Sequence, residues 1–242
     1  MHTITTGWVS VDVSDGTKME AYVARPAGGE ARPALLVLQE IFGVNAHIRD
    51  IAERFAREGY VAMAPDIFHR FAPRYEGSYD DVPASIALTN NLTPAGVVAD
   101  LTSSYRHLSA MEGVQKDKIG AIGYCMGGRL AYLANGLSPL AAAVSYYGSG
   151  IQGHLDLVPK LSGPMLFFWA GKDGYIPAES RRPVADALRA ADKPFVDVEF
   201  SWADHGFFCD ARGNHDASAS AQAWPLTLAF LGQYLGRGST AS

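Results

Sequence analysis

The chain has few cysteines, no long apolar run and no cluster of basic residues. Two cysteines among 242 residues exclude the disulfide framework on which small secreted domains depend. The first residues, Met-His-Thr-Ile-Thr-Thr-Gly, lack the basic start and apolar core of a signal peptide, and no segment approaches the length of a membrane span. We therefore expect a cytoplasmic protein, a location in which a reactive thiol stays reduced.

Charge of either sign is also modest. The 20 Lys and Arg residues are balanced by 25 Asp and Glu residues, which gives a formal net charge of −5. Because there is no basic patch, we expect neither nucleic acid nor a membrane as a partner. The apolar share of 48% provides material for a large core. We expect a globular protein that is a monomer or a small homo-oligomer.

Strand-like apolar runs alternate with helical patterns along most of the chain. The predicted strands are Trp8–Val13, Met19–Arg25, Ala34–Gln39, Tyr60–Ala64, Lys118–Gly123, Ala141–Tyr147, Met165–Ala170 and Phe195–Phe200. The predicted helices run from Asn45 to Gly59, Thr93 to Met111, Met126 to Asn135, Ala178 to Ala191 and Ala217 to Tyr234. Two strands come first and strand–helix alternation follows. This order predicts an α/β fold with a mostly parallel eight-stranded sheet, an antiparallel start and helices on both faces.

No repeat, linker or low-complexity block interrupts this alternation. We therefore expect residues 1–242 to form a single domain. The least regular part is 68–91, which is rich in Pro, Gly, Asp and Tyr. It is expected to be a cap or a pocket wall, with a plain surface loop as the alternative.

The most informative segment is Ile119-Gly-Ala-Ile-Gly-Tyr-Cys-Met-Gly-Gly128. It places Cys125 on a tight turn between a strand and a helix, which is the layout of a nucleophile elbow. Such a bend needs small residues two positions before and after the nucleophile, and Gly123 and Gly127 stand there. The following helix offers free N–H groups and the positive end of its dipole, which favour a thiolate. Taken alone, the segment also fits a buried structural cysteine.

Two later loops carry the partners that a nucleophile needs. Asp173 follows the strand that ends near Ala170, and His205 follows the strand that ends near Phe200. The order nucleophile, acid, histidine is that of hydrolases built on this elbow. Each candidate comes just after a predicted parallel strand, and the carboxyl ends of such strands share one edge of the sheet. Asp204 is adjacent to His205 and is expected to point away from it.

Five segments in this order resemble the dienelactone hydrolase (carboxymethylenebutenolidase) family, a branch of the α/β-hydrolase fold with a cysteine nucleophile. They are Leu38–Asn45, Ala64–Asp66, Gly120–Gly128, Gly171–Asp173 and Ala203–Phe207. The resemblance implies hydrolysis of small lactones or esters through a thioester on Cys125, with His205 as the base and Asp173 as its orienting acid. It implies no organic cofactor, and the spacing of the histidines indicates no metal site.

The resemblance also assigns a role to Glu40. In the family, the matching glutamate lies beside the thiol, keeps the free enzyme poorly reactive and moves away when substrate arrives. A nearby carboxylate raises the pKa of a thiol because it repels the thiolate. The alternative is a glutamate that only ends a strand and accepts hydrogen bonds from nearby N–H groups. By the same resemblance, the backbone N–H groups of Ile41 and Met126 form an oxyanion hole.

The substrate-binding side of the family pattern is incomplete in this chain. Dienelactone-type members hold a substrate carboxylate with two arginines, and neither matching position here carries one. The candidate substrate-binding residues are His69, Arg70, Arg74, Phe207, Phe208 and Arg212. We therefore expect a weak preference for anionic substrates and room for a more apolar group.

Two other functions stay open from the sequence. A protein of the same fold could bind a small ligand without turnover, although the intact Cys125, Asp173 and His205 argue against this. A thiol-based redox sensor could use Cys125 and Cys209, but the chain has no C-x-x-C pair.

Overall fold

The computed structural model describes residues 2–236, and within them the chain forms one sheet of eight strands in the order β1-β2-β4-β3-β5-β6-β7-β8. The strands are β1 Ile4–Asp12, β2 Lys18–Pro26, β3 Arg32–Leu38, β4 Val61–Pro65, β5 Val114–Tyr124, β6 Ala142–Tyr146, β7 Met165–Ala170 and β8 Phe195–Phe200. β1 pairs with β2 and β2 with β4 in antiparallel fashion, and all later pairs are parallel. The predicted fold class is confirmed.

The same described residues contain six α-helices, which cover the sheet. They are α1 Ala46–Arg57, α2 Val82–Thr89, α3 Pro94–Ala110, α4 Met126–Leu137, α5 Ala178–Ala190 and α6 Ala217–Leu235. The side chain of Asn45 caps α1 by accepting a hydrogen bond from the N–H of Ile48. Successive β3 residues such as Leu35 and Leu36 point to opposite faces of the sheet and are both fully buried, so both faces are covered.

Two elements were not predicted. Helix α2 lies inside segment 68–91, and a 3₁₀ helix spans Ile151–Lys160. Helix α2 has little apolar periodicity, since Ser85 is its buried residue and Ile86 is 44% exposed, so no amphipathic pattern marks it. No helix within residues 2–236 is both long and apolar enough to span a membrane.

The parallel strands place four loops at one edge of the sheet. Glu40 follows β3, Cys125 follows β5, Asp173 follows β7 and His205 follows β8. Because β3, β5, β6, β7 and β8 are adjacent and parallel, their carboxyl ends bring these four side chains into one region.

Candidate active site

Cys125 occupies a strained turn between β5 and α4. Its backbone has φ 56° and ψ −118°, a conformation that residues other than glycine rarely adopt. Its N–H donates a hydrogen bond to the Tyr146 carbonyl oxygen at 3.0 Å, which ties the turn to the neighbouring strand. The Cys125 side chain is thus held at the amino-terminal end of α4.

The two glycines beside this turn are required by close backbone contacts. A Cβ on Gly123 would collide with the backbone of Gly127, and a Cβ on Gly127 would collide with the carbonyl oxygen of Leu38. The small-residue requirement inferred from the elbow pattern therefore has a direct steric cause, because the turn packs against the end of β3.

His205 and Asp173 form a buried hydrogen-bonded pair. The distance from His205 Nδ1 to Asp173 Oδ2 is 2.7 Å. The other oxygen of Asp173 accepts hydrogen bonds from the N–H groups of Tyr175 and Ile176, at 2.8 and 3.1 Å. Asp204 instead accepts from the backbone N–H of His205 at 2.7 Å. Asp173, held by its own loop, therefore orients the imidazole, and Asp204 orders the turn.

Cys125 influences the protonation of this pair. Burial by itself would lower the pKa of His205, but the electrostatic and hydrogen-bond contributions of Cys125 and Asp173 outweigh burial and raise the pKa to about 10. Both side chains line one cavity of about 280 Å³. The arrangement can hold a proton on the imidazole next to the sulfur, which is the requirement for a nucleophilic thiolate.

Glu40 lies near this pair and has an ion-pair partner but, in the described part of the chain, no hydrogen bond. It is fully buried, and within residues 2–236 neither of its carboxylate oxygens has a hydrogen-bond partner. Arg212 Nη1 lies 3.5 Å from Glu40 Oε1. Burial raises the pKa of the Glu40 carboxyl, while Arg212 and His205 oppose the rise.

The two backbone groups expected to form an oxyanion hole are close to the cysteine in the fold. Ile41 lines the same cavity as Cys125. Met126 is the first residue of α4, so its N–H lies outside the hydrogen-bond ladder of the helix and is available to a ligand.

The cavity that holds Cys125 and His205 is largely apolar. Its lining residues are Ile41, Phe42, Val82, Ile86, Cys125, Ser149, Tyr175, His205 and Arg212. Arg212 therefore lines the cavity, whereas the other two candidate arginines, Arg70 and Arg74, are not among its lining residues. Val82 and Ile86 belong to α2, which lies within segment 68–91. Five lining residues were not predicted from the sequence, namely Phe42, Val82, Ile86, Ser149 and Tyr175. Phe42 is next to Ile41 in the chain and Tyr175 is two residues from Asp173, and no comparable signal marks the other three.

His69, Arg70 and Arg74 are not brought to this cavity. His69 Nε2 lies 3.1 Å from Asp100 Oδ1, and Arg70 Nη1 donates to Asp100 Oδ2 at 2.7 Å. Arg74 pairs with Glu20. These side chains tie the segment after β4 to neighbouring elements, so their charges are engaged away from the cysteine.

Phe207 and Phe208 pack behind the candidate site. Both are buried, with the Phe207 ring centroid 5.3 Å from that of Tyr147 and the Phe208 centroid 4.8 Å from that of Tyr146. Tyr147 in turn lies 5.1 Å from the His205 ring. The two phenylalanines therefore support the loop that carries His205, and neither is among the residues that line the cavity.

Comparison with known proteins agrees with the geometry. The model of the dienelactone hydrolase family matches residues 19–235. A carboxymethylenebutenolidase from Pseudomonas putida is 33% identical over 227 residues, which cover 92% of this chain and 94% of the relative. A Synechocystis sp. protein provisionally given the same name is 35% identical over 217 residues, which cover 86% and 88%.

A solved structure agrees as well. The crystal structure of a provisionally assigned dienelactone hydrolase from Klebsiella pneumoniae matches with a TM-score of 0.88 and 33% identity, covering 96% of this chain and 100% of the other. The resemblance predicted from the sequence motifs is confirmed. The chain belongs to the dienelactone hydrolase family, shares its α/β-hydrolase fold and is a hydrolase.

Proposed function

We propose that the protein hydrolyses small carboxylic esters or lactones by two-step acyl transfer on Cys125. The observation that carries this proposal is the buried 2.7 Å hydrogen bond between His205 and Asp173 in a site whose cavity also exposes the strained Cys125. A nucleophile, a base and an orienting acid are the parts that acyl transfer needs.

The first step forms a thioester. His205 takes the thiol proton, and the Sγ of Cys125 attacks the carbonyl carbon of the substrate. The electron pair moves to the carbonyl oxygen, where the N–H groups of Ile41 and Met126 hold the negative charge. The tetrahedral intermediate then collapses, and His205 gives the proton to the departing alkoxide.

The second step releases the acid. His205 takes a proton from water, and the hydroxide attacks the thioester carbonyl carbon. The second tetrahedral intermediate expels the Cys125 thiolate, and Asp173 stabilises the imidazolium in both steps. The test is turnover of p-nitrophenyl esters and unsaturated lactones by a Cys125→Ala variant, from which hydrolysis should disappear.

We further propose that Glu40 limits the reactivity of Cys125 in the free enzyme. A buried carboxylate without hydrogen bonds is free to change partners, and in its charged form it opposes a nearby thiolate. Replacing Glu40 by glutamine keeps the shape of the side chain and removes that charge.

The Glu40→Gln variant should react faster with iodoacetamide at Cys125 when no substrate is present. We expect an increase of about tenfold, equivalent to about 1.4 kcal/mol of removed repulsion. Because burial raises the pKa of Glu40, its charged fraction grows with pH, so the ratio of variant to parent should widen as the pH rises. Alkylation rates at several pH values measure this, with Glu20→Gln as the control, because Glu20 is a half-exposed carboxylate that pairs with Arg74 and does not line the cavity. Equal rates for parent and Glu40→Gln would make Glu40 a structural residue.

We also propose that this enzyme gains little from a substrate carboxylate. Arg212 lines the cavity, but its guanidinium already lies 3.5 Å from Glu40 and over the ring of Phe42 at 5.5 Å. A substrate anion must compete for that cation. Each charge-assisted hydrogen bond that the substrate carboxylate fails to make weakens its binding free energy by roughly 1.5–3 kcal/mol.

The expected kcat/KM for a carboxylate-bearing lactone lies within about tenfold of that for its methyl ester. The same comparison in Arg212→Ala, Arg70→Ala and Arg74→Ala variants identifies any arginine that contributes. A preference of about a hundredfold or more for the anion, abolished only by Arg212→Ala, would instead show that Arg212 binds the carboxylate.

A further inference from the structure

Three buried side chains with metal-binding atoms meet beside the triad. Glu40 follows β3, His47 lies in the first turn of α1, and Cys209 lies in the loop after β8. One carboxylate oxygen, one ring nitrogen and the Sγ lie within 4.8 Å of one another, and all three residues are buried. No spacing in the sequence joins them, and folding alone brings them together.

Two of the three side chains have no hydrogen-bond partner inside the described part of the chain. Both oxygens of Glu40 and both ring nitrogens of His47 are buried and make no hydrogen bond in that part, although the Arg212 guanidinium lies 3.5 Å from one Glu40 oxygen. Leaving such groups unsatisfied is unfavourable, and buried groups of this kind normally have a protein, water or ion partner. Their convergence therefore points to a ligand that accepts lone pairs from oxygen, nitrogen and sulfur.

We propose that Glu40, His47 and Cys209 bind one Zn²⁺ ion. Zn²⁺ takes carboxylate, imidazole and thiolate ligands together in tetrahedral sites, with water or a further ligand in the fourth position. The carboxylate and the thiolate neutralise the charge of the ion, and Cys209 releases its proton to solvent on binding. The three ligand atoms must move about 1 Å closer to one another before a single ion can lie at its usual bond length from each of them.

Neighbouring groups suit such a site. Asp210 Oδ1 lies 3.8 Å from His47 Nδ1, beyond hydrogen-bond distance but beside the ring, and a carboxylate near a ligating histidine supports a metal site. Cys209 Sγ lies 3.3 Å from the Tyr79 hydroxyl, which can donate to the sulfur once the thiol has lost its proton. The ligands include neither Cys125 nor His205. They do include Glu40, to which we have assigned control of thiol reactivity, so the test replaces Cys209 and His47 and leaves Glu40 unchanged.

Cobalt is the probe for this test, because Co²⁺ occupies zinc sites and a bound thiolate gives it a charge-transfer absorption. The full chain, treated with EDTA and then freed of it, is titrated with Co²⁺. We expect one equivalent to produce thiolate absorption and Zn²⁺ to abolish it by displacement. Cys209→Ser and His47→Gln should lose the absorption and weaken Zn²⁺ binding at least about 100-fold, because losing even a supporting group costs 10–100-fold.

Three controls separate this site from the triad. Cys125→Ser and His107→Gln should keep the absorption, since neither residue is a proposed ligand. Cys209→Ser should still hydrolyse esters in the presence of EDTA, so failure of the proposed hydrolase and failure of the metal site give different results. Thermal unfolding confirms that each variant is folded.

Two results would overturn the proposal. One is a folded parent protein that binds neither Co²⁺ nor Zn²⁺ by calorimetry. The other is absorption that survives in Cys209→Ser and vanishes in Cys125→Ser, which would place the metal on the triad.

Discussion

Replacing Cys125 by alanine should lower ester hydrolysis by about 10⁴-fold or more, since removal of a nucleophile from a comparable triad has an effect of this size or larger. The fold should survive, because Cys125 is 9% exposed and faces the cavity. Cys125→Ser should also be far slower than the parent, because a hydroxyl has a much higher pKa than a thiol and this site offers it too little help.

The second cysteine provides a matched control. Cys209 is also buried but has no role in the proposed chemistry, so Cys209→Ser should retain turnover. Mass spectrometry of the intact protein, quenched in acid after mixing with a p-nitrophenyl ester, should show an acyl adduct in the parent and none in Cys125→Ala. Parental turnover by a folded Cys125→Ala variant would assign the chemistry to another residue.

Replacing Asp173 by asparagine should lower kcat by about 10⁴-fold, the effect seen when the orienting acid of a triad is changed in this way. The amide can donate to Nδ1 of His205, which favours the tautomer that carries its proton on Nε2. In that form the ring cannot accept the thiol proton. KM should change much less, because the Asp173 carboxylate bonds to His205 and to backbone N–H groups of its own loop.

The matched control for this prediction is Asp204→Asn, which alters the neighbouring carboxylate that bonds to the backbone N–H of His205. Asp204→Asn should lower kcat far less than Asp173→Asn does. The pKa of His205 should fall in Asp173→Asn, because a hydrogen bond that stabilises the imidazolium is lost, and NMR titration of the ring measures this. A larger loss of kcat in Asp204→Asn would make Asp204 the orienting acid.

Much of the architecture could be predicted from local sequence patterns. The bounds predicted for β7 and β8 match the structure. The helices predicted to begin at Asn45 and Thr93 do begin there, with these two side chains as their caps. These patterns depend on residues near one another in the chain, such as the capping side chain and the first turn of its helix. The elbow around Cys125 could be predicted because its glycine spacing is local. The close contact that requires Gly123 lies within the elbow, whereas the contact that requires Gly127 is with Leu38 of β3 and depends on the tertiary structure.

The sequence by itself determined the mostly parallel sheet and the loops that carry Cys125, Asp173 and His205, because strand periodicity and chain order set which loops lie at the carboxyl edge. Only the tertiary structure decided the cavity wall. It selected Arg212 over Arg70 and Arg74, added Ile86 of α2, and brought His47 and Cys209 to Glu40. Those distances depend on how loops far apart in the chain pack against the sheet, and the order of residues does not encode them locally.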